Sequence, residues 1–196
     1  MARRRSFLFK FFLILLVAVG LIGVSSPLWL RAMGFALVCN DGPTKADLAI
    51  VLGGDFNGDR ILKAAAALIS GPGAFFGQPE CDFAIDYAVC KGYRAKWFIP
   101  YPAEVHSTRD EARVILGDLH HRGNIHKILL LTSDFHTGSA GCVFGAAEQE
   151  LGGGIDIRVI AVPDRNSHPD SWGTNREGQK VAFGEWLRLV TSAFEI

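Results

Sequence analysis

The sequence lacks several features that would place it in a common functional class. Its 196 residues carry no net charge, because 20 basic residues balance 20 acidic ones. A nucleic-acid-binding protein usually has a basic excess, so this composition argues against that class. Four cysteines are too few for a disulfide scaffold, and no Cys-x-x-Cys or His/Cys pair has the spacing of a zinc site. We therefore expect no nucleic-acid partner and no structural metal.

The chain is also poor in charge and rich in apolar residues. Charged residues make up 20% of the sequence, whereas hydrophobic residues make up 49%. This balance excludes intrinsic disorder, which requires low hydrophobicity and high net charge. The length allows one domain of ordinary size together with a short extra segment.

One long hydrophobic run lies near the N-terminus. Residues 11–30 contain no charge, and about 20 helical residues span the thickness of a bilayer core. The basic residues Arg3, Arg4, Arg5 and Lys10 precede the run. Because such residues stay on the cytoplasmic side, we expect the N-terminus in the cytoplasm and the remainder of the chain outside it.

Two interpretations of this segment stay open from the sequence. It is either a retained signal anchor or a signal peptide whose apolar region ends near residues 23–26. The length of the run and the interfacial position of Trp29 favour the anchor. We therefore predict a basic stub and transmembrane anchor over residues 1–32, a connector over 33–45, and one globular domain over 46–196.

Short apolar runs alternate with helical patterns throughout the globular part. The predicted strands are continuous apolar runs, as expected for a parallel sheet covered by helices on both faces. Strands are predicted at 46–52, 68–70, 97–99, 127–131 and 157–162, and helices at 59–67, 79–91, 108–121, 139–151 and 178–194. This order predicts a three-layer α/β/α sandwich with a mostly parallel sheet.

The first crossover of this predicted sheet is unusual. A parallel crossover normally needs a dozen or more residues, but only about nine helical residues separate the Gly53-Gly54 turn from Leu68. No turn residue stands between the predicted helix and the next strand. We therefore expect a local irregularity there.

Small and polar residues follow the predicted strands. Loops at the carboxyl ends of parallel strands form the ligand crevice of such sheets, and helix N-termini there favour a phosphate or carboxylate. The predicted ligand-binding residues are Gly53, Gly54, Arg60, Ser70, Gly71, Ser107, Thr108, Glu111, Thr132 and Ser133. His136 is predicted to be a general acid or base, assisted by Glu80 or Asp55.

Some of these residues also have a plain structural explanation. Gly53 and Gly54 can simply form a turn, and they lack the spacing of a dinucleotide fingerprint. Thr108 and Glu111 match a capping box, with Thr108 as the N-cap. Both explanations stay open beside the functional one.

A family resemblance rests on several motifs that occur in a fixed order. They are Leu52-Gly53-Gly54, Arg60, Ser70-Gly71, Glu80, Ser107-Thr108 with Glu111, Thr132-Ser133 with His136, and Lys180 with Glu185. Together they resemble the YdcF-like family of bacterial envelope proteins, of the SanA and ElyC type, over residues 46–190. Two features depart from the family. Gly138-Ser139-Ala140 stands where the family usually has an arginine, and the first crossover is shorter.

The resemblance implies a Rossmann-like α/β/α sandwich preceded by one N-terminal transmembrane helix. It also implies a place in the bacterial inner membrane, with the domain on the periplasmic or extracytoplasmic side, and a role in cell-envelope or peptidoglycan biogenesis. It supplies neither a substrate nor a cofactor. We expect a protein that binds or acts on a phosphate-bearing metabolite, either lipid-linked or nucleotide-like, as a possible hydrolase or transferase. The alternatives are a binding module for a nucleotide or an S-adenosylmethionine-like ligand, and a partner-binding protein with a vestigial pocket.

Overall fold

A five-stranded parallel sheet forms the centre of the domain. The computed structural model describes residues 2–54, 57–64, 67–71, 74–75, 77–102, 105, 107–165 and 167–192. Its strands are β1 (Leu48–Val51), β2 (Ala67–Ser70), β3 (Ala74–Phe75), β4 (Gln78–Pro79), β5 (Phe98–Tyr101), β6 (Lys127–Ser133) and β7 (Asp156–Val162). The order in the large sheet is β5-β2-β1-β6-β7, and every neighbouring pair is parallel. The short strands β3 and β4 form a separate antiparallel pair.

Helices cover both faces of this sheet, which confirms the predicted Rossmann-like sandwich. The helices of the domain are α2 (Glu80–Cys90), α3 (Thr108–Arg122), α4 (Thr137–Glu150) and α5 (Arg176–Ser192), and the N-terminal helix α1 (Ala2–Ala36) precedes them. On one face, α3 and α4 pack against Ile50, Leu52 and Leu130. On the other face, α2 packs against Ala49 and Val51. Alternate residues of β1 therefore enter opposite cores, as the period of a strand requires.

The predicted helix over residues 59–67 is wrong. Among the described residues 59–64 the structure has a 3-10 turn at Ile61–Lys63, and β2 already begins at Ala67. Residues Ala67 to Ile69 pair with Ala49 to Val51 of β1 and are buried on both faces. This burial outweighs the helix propensity of the alanines, which is worth only tenths of a kcal/mol per residue. The predicted irregularity of the first crossover is thereby confirmed.

The later predicted elements are confirmed with small shifts of their ends. Strand β5 continues through Pro100, where the sequence analysis ended the strand. Strand β5 lies at the edge of the sheet, so its open side makes no hydrogen bonds to another strand. A proline, which lacks an N–H group, therefore loses no sheet hydrogen bond on that side. The predicted last helix begins two residues earlier, at Arg176, and its last two predicted residues lie outside the described part of the chain.

The segment that follows α1 is bound along the edge of the sheet. The N–H of Asp41 donates to the Val159 carbonyl at 2.9 Å, and Asp41 Oδ2 accepts from the Val159 N–H at 2.8 Å. The N–H of Cys39 donates to Thr137 Oγ1 at 2.8 Å, and Leu37 is fully buried. Part of the predicted connector therefore covers the open edge of β7, which would otherwise expose unpaired backbone groups.

The last turns of α1 also contact the domain. Trp172 Nε1 donates to the Leu30 carbonyl at 2.7 Å, and Met33 packs into the cluster that holds Leu37 and Trp172. A Cβ on Gly34 would lie 2.1 Å from the Pro169 carbonyl oxygen, so only glycine allows this approach. Residues 9–36 form a helix long and apolar enough to cross a membrane, and a signal sequence would share these features.

Removal of the Leu37 side chain tests the connector contact. Leu37→Ala in the detergent-solubilised full chain should lower the free energy of unfolding by about 2–5 kcal/mol, because it leaves a cavity between α1 and the domain. Leu151→Ala is the matched control, since Leu151 is exposed at the end of α4. Equal losses in denaturant unfolding of the two variants would contradict the contact.

Candidate functional site

The carboxyl ends of three adjacent strands meet at one edge of the sheet. Strand β1 lies between β2 and β6, and all three run parallel. Gly53, Ser70 and Ser133 therefore stand at the same edge, as the sequence analysis predicted. The space above them, bordered by the start of α2, is called the crevice from here on.

Two glycines allow the start of α2 to approach the strand ends. Gly54 has a φ of +78°, which a glycine adopts without strain, and its N–H donates to Glu80 Oε1 at 2.5 Å. A Cβ on Gly71 would lie 2.4 Å from the backbone N of Cys81. The turn explanation of Gly54 thus holds, and the turn itself places the Glu80 carboxylate in the crevice.

Glu111 is a buried acid beside the end of β2. Its side chain is buried, and the Ser70 hydroxyl donates to its Oε1 atom. Burial raises the pKa of Glu111, and the charge of Glu80 adds to this effect; the Ser70 hydrogen bond and the charges of His136 and Arg60 oppose it. These groups influence one another because they surround the same crevice.

The predicted capping box at the start of α3 is wrong in its register. Ser107, not Thr108, is the N-cap, and its Oγ accepts from the Asp110 N–H at 3.1 Å and donates to Asp110 Oδ2 at 2.7 Å. This register places Glu111 on the buried face of α3, with Ala112. The Ser107 hydroxyl therefore caps α3, while the Glu111 side chain accepts a hydrogen bond from Ser70.

His136 is held by a buried carboxylate of α5. Its Nδ1 lies 3.1 Å from Glu185 Oε2 and 3.0 Å from Ser139 Oγ, and Ser139 Oγ donates to Glu185 Oε2 at 2.8 Å. Arg188 forms an ion pair with the other oxygen of Glu185. We assign the Nδ1 proton to the bond with Glu185, which leaves Nε2 as a proton acceptor. Within the described residues, Nε2 makes no hydrogen bond.

The pKa of Glu185 is lowered despite its burial. Burial by itself would raise its pKa, but the hydrogen bonds from His136 and Ser139 and the charge of Arg188 outweigh burial and lower the pKa. A carboxylate of this kind fixes the orientation of the imidazole ring and stabilises its protonated form. Glu185 and Ser139 therefore hold the His136 ring through its Nδ1 atom.

Arg60 is bound to the backbone. The Arg60 side chain is buried, and its Nη1 donates to the carbonyls of Leu52 at 2.9 Å and Gly53 at 2.6 Å. It thus stabilises the turn that follows β1. A small cavity of about 50 Å³ lies beside it, lined in part by Gly54 and Ser133, and is large enough for a water molecule. The contact of Arg60 with an anion stays a prediction.

The remaining predicted residues lie in different environments or outside the described part of the chain. Thr132 is fully buried, and its hydroxyl has no hydrogen-bond partner within the described part of the chain, so it faces the protein interior. Ser107 and Thr108 begin α3, and Asp55 lies outside the described residues. Lys180, which the family resemblance implied, is exposed and pairs with Glu177 at 2.8 Å. Among the described residues, no group of three or more His, Cys, Asp or Glu could hold a metal ion.

Two residues of the site were missed in the sequence. Ser139 follows His136 by three positions in the first turn of α4, and Arg188 follows Glu185 by three positions on α5. The i, i+3 spacing on a helix was the available signal, since such residues share a face. The contact between the two helices had no signal in the sequence.

No family model matches this chain, and neither a curated protein nor a solved structure matches it. The YdcF-like resemblance therefore stays a prediction. The evidence for function lies in the geometry of the crevice.

The burial of Glu111 predicts a pH-dependent cost in stability. Below its ordinary pKa of 4.5, both the folded and unfolded states hold the proton, and the carboxyl has no effect. As the pH rises above 4.5, Glu111 ionises first in the unfolded state. The free energy of unfolding therefore falls until the pH exceeds the raised pKa of Glu111 in the folded state. Glu111→Gln cannot ionise, and it should gain stability over the natural chain as the pH rises from about 4.5 to neutral.

Glu150→Gln provides a control of opposite sign. Hydrogen bonds from Arg109 and Arg113 lower the pKa of Glu150, so this carboxylate adds stability above its ordinary pKa and loses it as the pH falls. The control variant should be slightly less stable at neutral pH, because the pair is exposed. Denaturant unfolding across pH measures both variants, and a Glu111→Gln effect that does not change with pH would contradict the assignment.

Proposed function

We propose that this chain is a membrane-anchored envelope protein of the YdcF-like type that acts on a phosphate-bearing, lipid-linked substrate, with His136 as the general acid or base. The observation that carries the proposal is the bond between His136 Nδ1 and the buried carboxylate of Glu185, at 3.1 Å. This bond leaves Nε2 as the proton acceptor, and the charge of His136 acts on Glu111 beside the crevice.

The proposed chemistry is proton transfer at His136 Nε2. The imidazole accepts the proton of a water molecule or hydroxyl group that attacks phosphorus, and returns it to the leaving oxygen. Glu185 stabilises the imidazolium that forms in between. Ser139 holds the carboxylate in place through its bond of 2.8 Å.

The crevice is compatible with an anionic substrate only if the negative charge of its own carboxyl groups is reduced. The carboxyls of Glu80 and Glu111 both face it, and two negative charges would repel a phosphate. The raised pKa of Glu111 reduces this repulsion, and the Gly54 N–H partly neutralises Glu80.

The outer face of α5 supports a lipid-linked substrate over a soluble one. Phe183, Leu187 and Val190 are exposed by 61%, 65% and 51%, and their spacing places them on one side of the helix. The Phe183 ring packs edge-on against Trp172 with centroids 5.7 Å apart, and Trp172 also binds the Leu30 carbonyl. The apolar face of α5 is thus connected to the end of α1 through the buried side chain of Trp172. We propose that it rests on the bilayer that α1 enters.

One observation favours a second function, a binding module without turnover. The Nη1 of Arg60 is bound to backbone carbonyls, and Gly138-Ser139-Ala140 replaces the arginine expected from the resemblance. A Cβ at Gly138 would lie 2.7 Å from the Leu37 carbonyl oxygen, so the connector occupies the space of any side chain there. A site with few available cations binds a transferring phosphoryl group less strongly.

Variants of the histidine and its carboxylate test the proposal. The full chain in nanodiscs is incubated with isoprenyl monophosphates and diphosphates, and the release of inorganic phosphate is followed. His136→Gln should lower kcat by about 10²–10⁴-fold, because it removes the proton acceptor. Glu185→Gln should lower kcat by at least about 10²-fold, because it loses the charge that stabilises the imidazolium.

The matched control is Glu177→Gln, the same change at an exposed position of α5, and it should keep full activity. Thermal shifts with the same lipids, nucleotides and S-adenosylmethionine separate binding from turnover, since a ligand at 100 times its Kd adds about 2.7 kcal/mol. Binding of a ligand that is recovered unchanged would select the binding module. Full phosphate release by His136→Gln would refute the role of His136.

A further inference from the structure

Two of the four cysteines lie close together where the connector crosses α4. The Gly138 N–H donates to the Leu37 carbonyl at 3.1 Å, and the Cys39 N–H donates to Thr137 Oγ1 at 2.8 Å. Cys142 lies one helical turn after Gly138 and therefore on the same side of α4. Both Cys39 and Cys142 are exposed, so an oxidant can reach them.

Further contacts hold the connector beside Cys142. Asp41 is bound to Val159 by two hydrogen bonds, at 2.9 and 2.8 Å, and a Cβ on Gly141 would lie 3.1 Å from the Val159 side chain. Cys39 is thus held between two fixed points, at α4 and at β7. Cys142 follows Gly141 directly on the helix between those points.

The electrostatics agree with this geometry. Partial burial raises the pKa of Cys39, and the negative charges of Asp41 and of the Cys142 thiolate raise it further. The other two cysteines differ, because Cys81 is buried and Cys90 lies nine residues from it along α2, too far for a bond.

We propose that Cys39 and Cys142 form a disulfide that fastens the connector to α4. This inference rests on the proposed placement of the domain outside the cytoplasm, because disulfides persist in oxidising compartments. The oxidant is a disulfide-bearing thiol oxidant of that compartment. One cysteine thiolate attacks its disulfide and releases one thiol, and the second cysteine thiolate then displaces the other thiol. The two cysteines lose two electrons and two protons in total, and the oxidant gains them.

The bond has a clear structural consequence. The disulfide closes a loop of about a hundred residues. It therefore lowers the conformational entropy of the unfolded chain more than a disulfide that closes a short loop. It also fixes the segment that joins α1 to the domain. The height of the crevice above the membrane then depends on a covalent link as well as on the hydrogen bonds of Asp41.

Thiol trapping in intact bacterial cells tests the inference on the full chain. Free thiols are alkylated before lysis, and peptide mapping then identifies the linked residues. Two of the four thiols should be protected, and the peptides of Cys39 and Cys142 should be joined with the loss of two hydrogen atoms. Cys39→Ser should free Cys142 to react, whereas Cys90→Ser, the control, should leave the joined peptides unchanged.

A second measurement separates the geometry from the compartment. Purified, reduced full chain in nanodiscs is oxidised with oxidised glutathione, and a Cys39–Cys142 bond that raises Tm in the natural chain but not in Cys39→Ser supports the geometry. A map with other pairings, or with both thiols free, overturns the inference. The location of the domain is tested independently by an alkaline phosphatase fused after residue 196.

The two measurements distinguish the possible failures. An active fusion with free Cys39 and Cys142 in cells overturns the disulfide and leaves the proposed placement intact. An inactive fusion refutes the placement, and the native disulfide with it, even if oxidised glutathione joins the two residues in vitro.

Discussion

The pairing of β1 between β2 and β6 is the constraint on which the rest of the structure depends. Its residues enter two cores at once, with Ile50 on the face of α3 and α4 and Val51 on the face of α2. Because both neighbours are parallel to it, their carboxyl ends reach the same edge. The Gly53-Gly54 turn, Ser70 and Ser133 therefore meet there, although they are far apart in the chain. A slip of one residue would reverse the faces of β1 and scatter these groups.

The crevice contains two buried carboxyl groups whose surroundings act in opposite directions. Burial removes most of the water around Glu111, and its pKa rises although the Ser70 hydroxyl donates a hydrogen bond to it. Glu185 receives bonds from His136 and Ser139 and the charge of Arg188, so its pKa falls. Two acids with separated pKa values are typical of sites that divide the roles of acid and base. The proposed division assigns Glu185 to the support of His136, whereas Glu111 borders the crevice with a raised pKa.

The connection between the hydrophobic helix and the domain is a part of the fold. Leu37 fills the cluster of Phe135 and Trp172, and Asp41 pairs with the edge of β7. Phe135 directly precedes His136, and α5 carries Glu185 on its inner side. The packing of the connector therefore reaches residues next to the proposed proton acceptor. This arrangement links the position of the hydrophobic helix to the geometry of the site.

Local patterns in the sequence were sufficient for the hydrophobic N-terminal helix, the α/β class and most strands and helices, because burial on both faces leaves continuous apolar runs. They also indicated His136, Glu80 and Glu111 as residues at strand ends and helix starts. Local propensity failed at residues 59–67, where pairing with β1 outweighed the alanines. The tertiary structure alone decided that Glu185 meets His136 and that the Cys39 backbone meets Thr137 of α4. These contacts join residues far apart in the chain, and only the packing of whole helices and strands determines which of them meet.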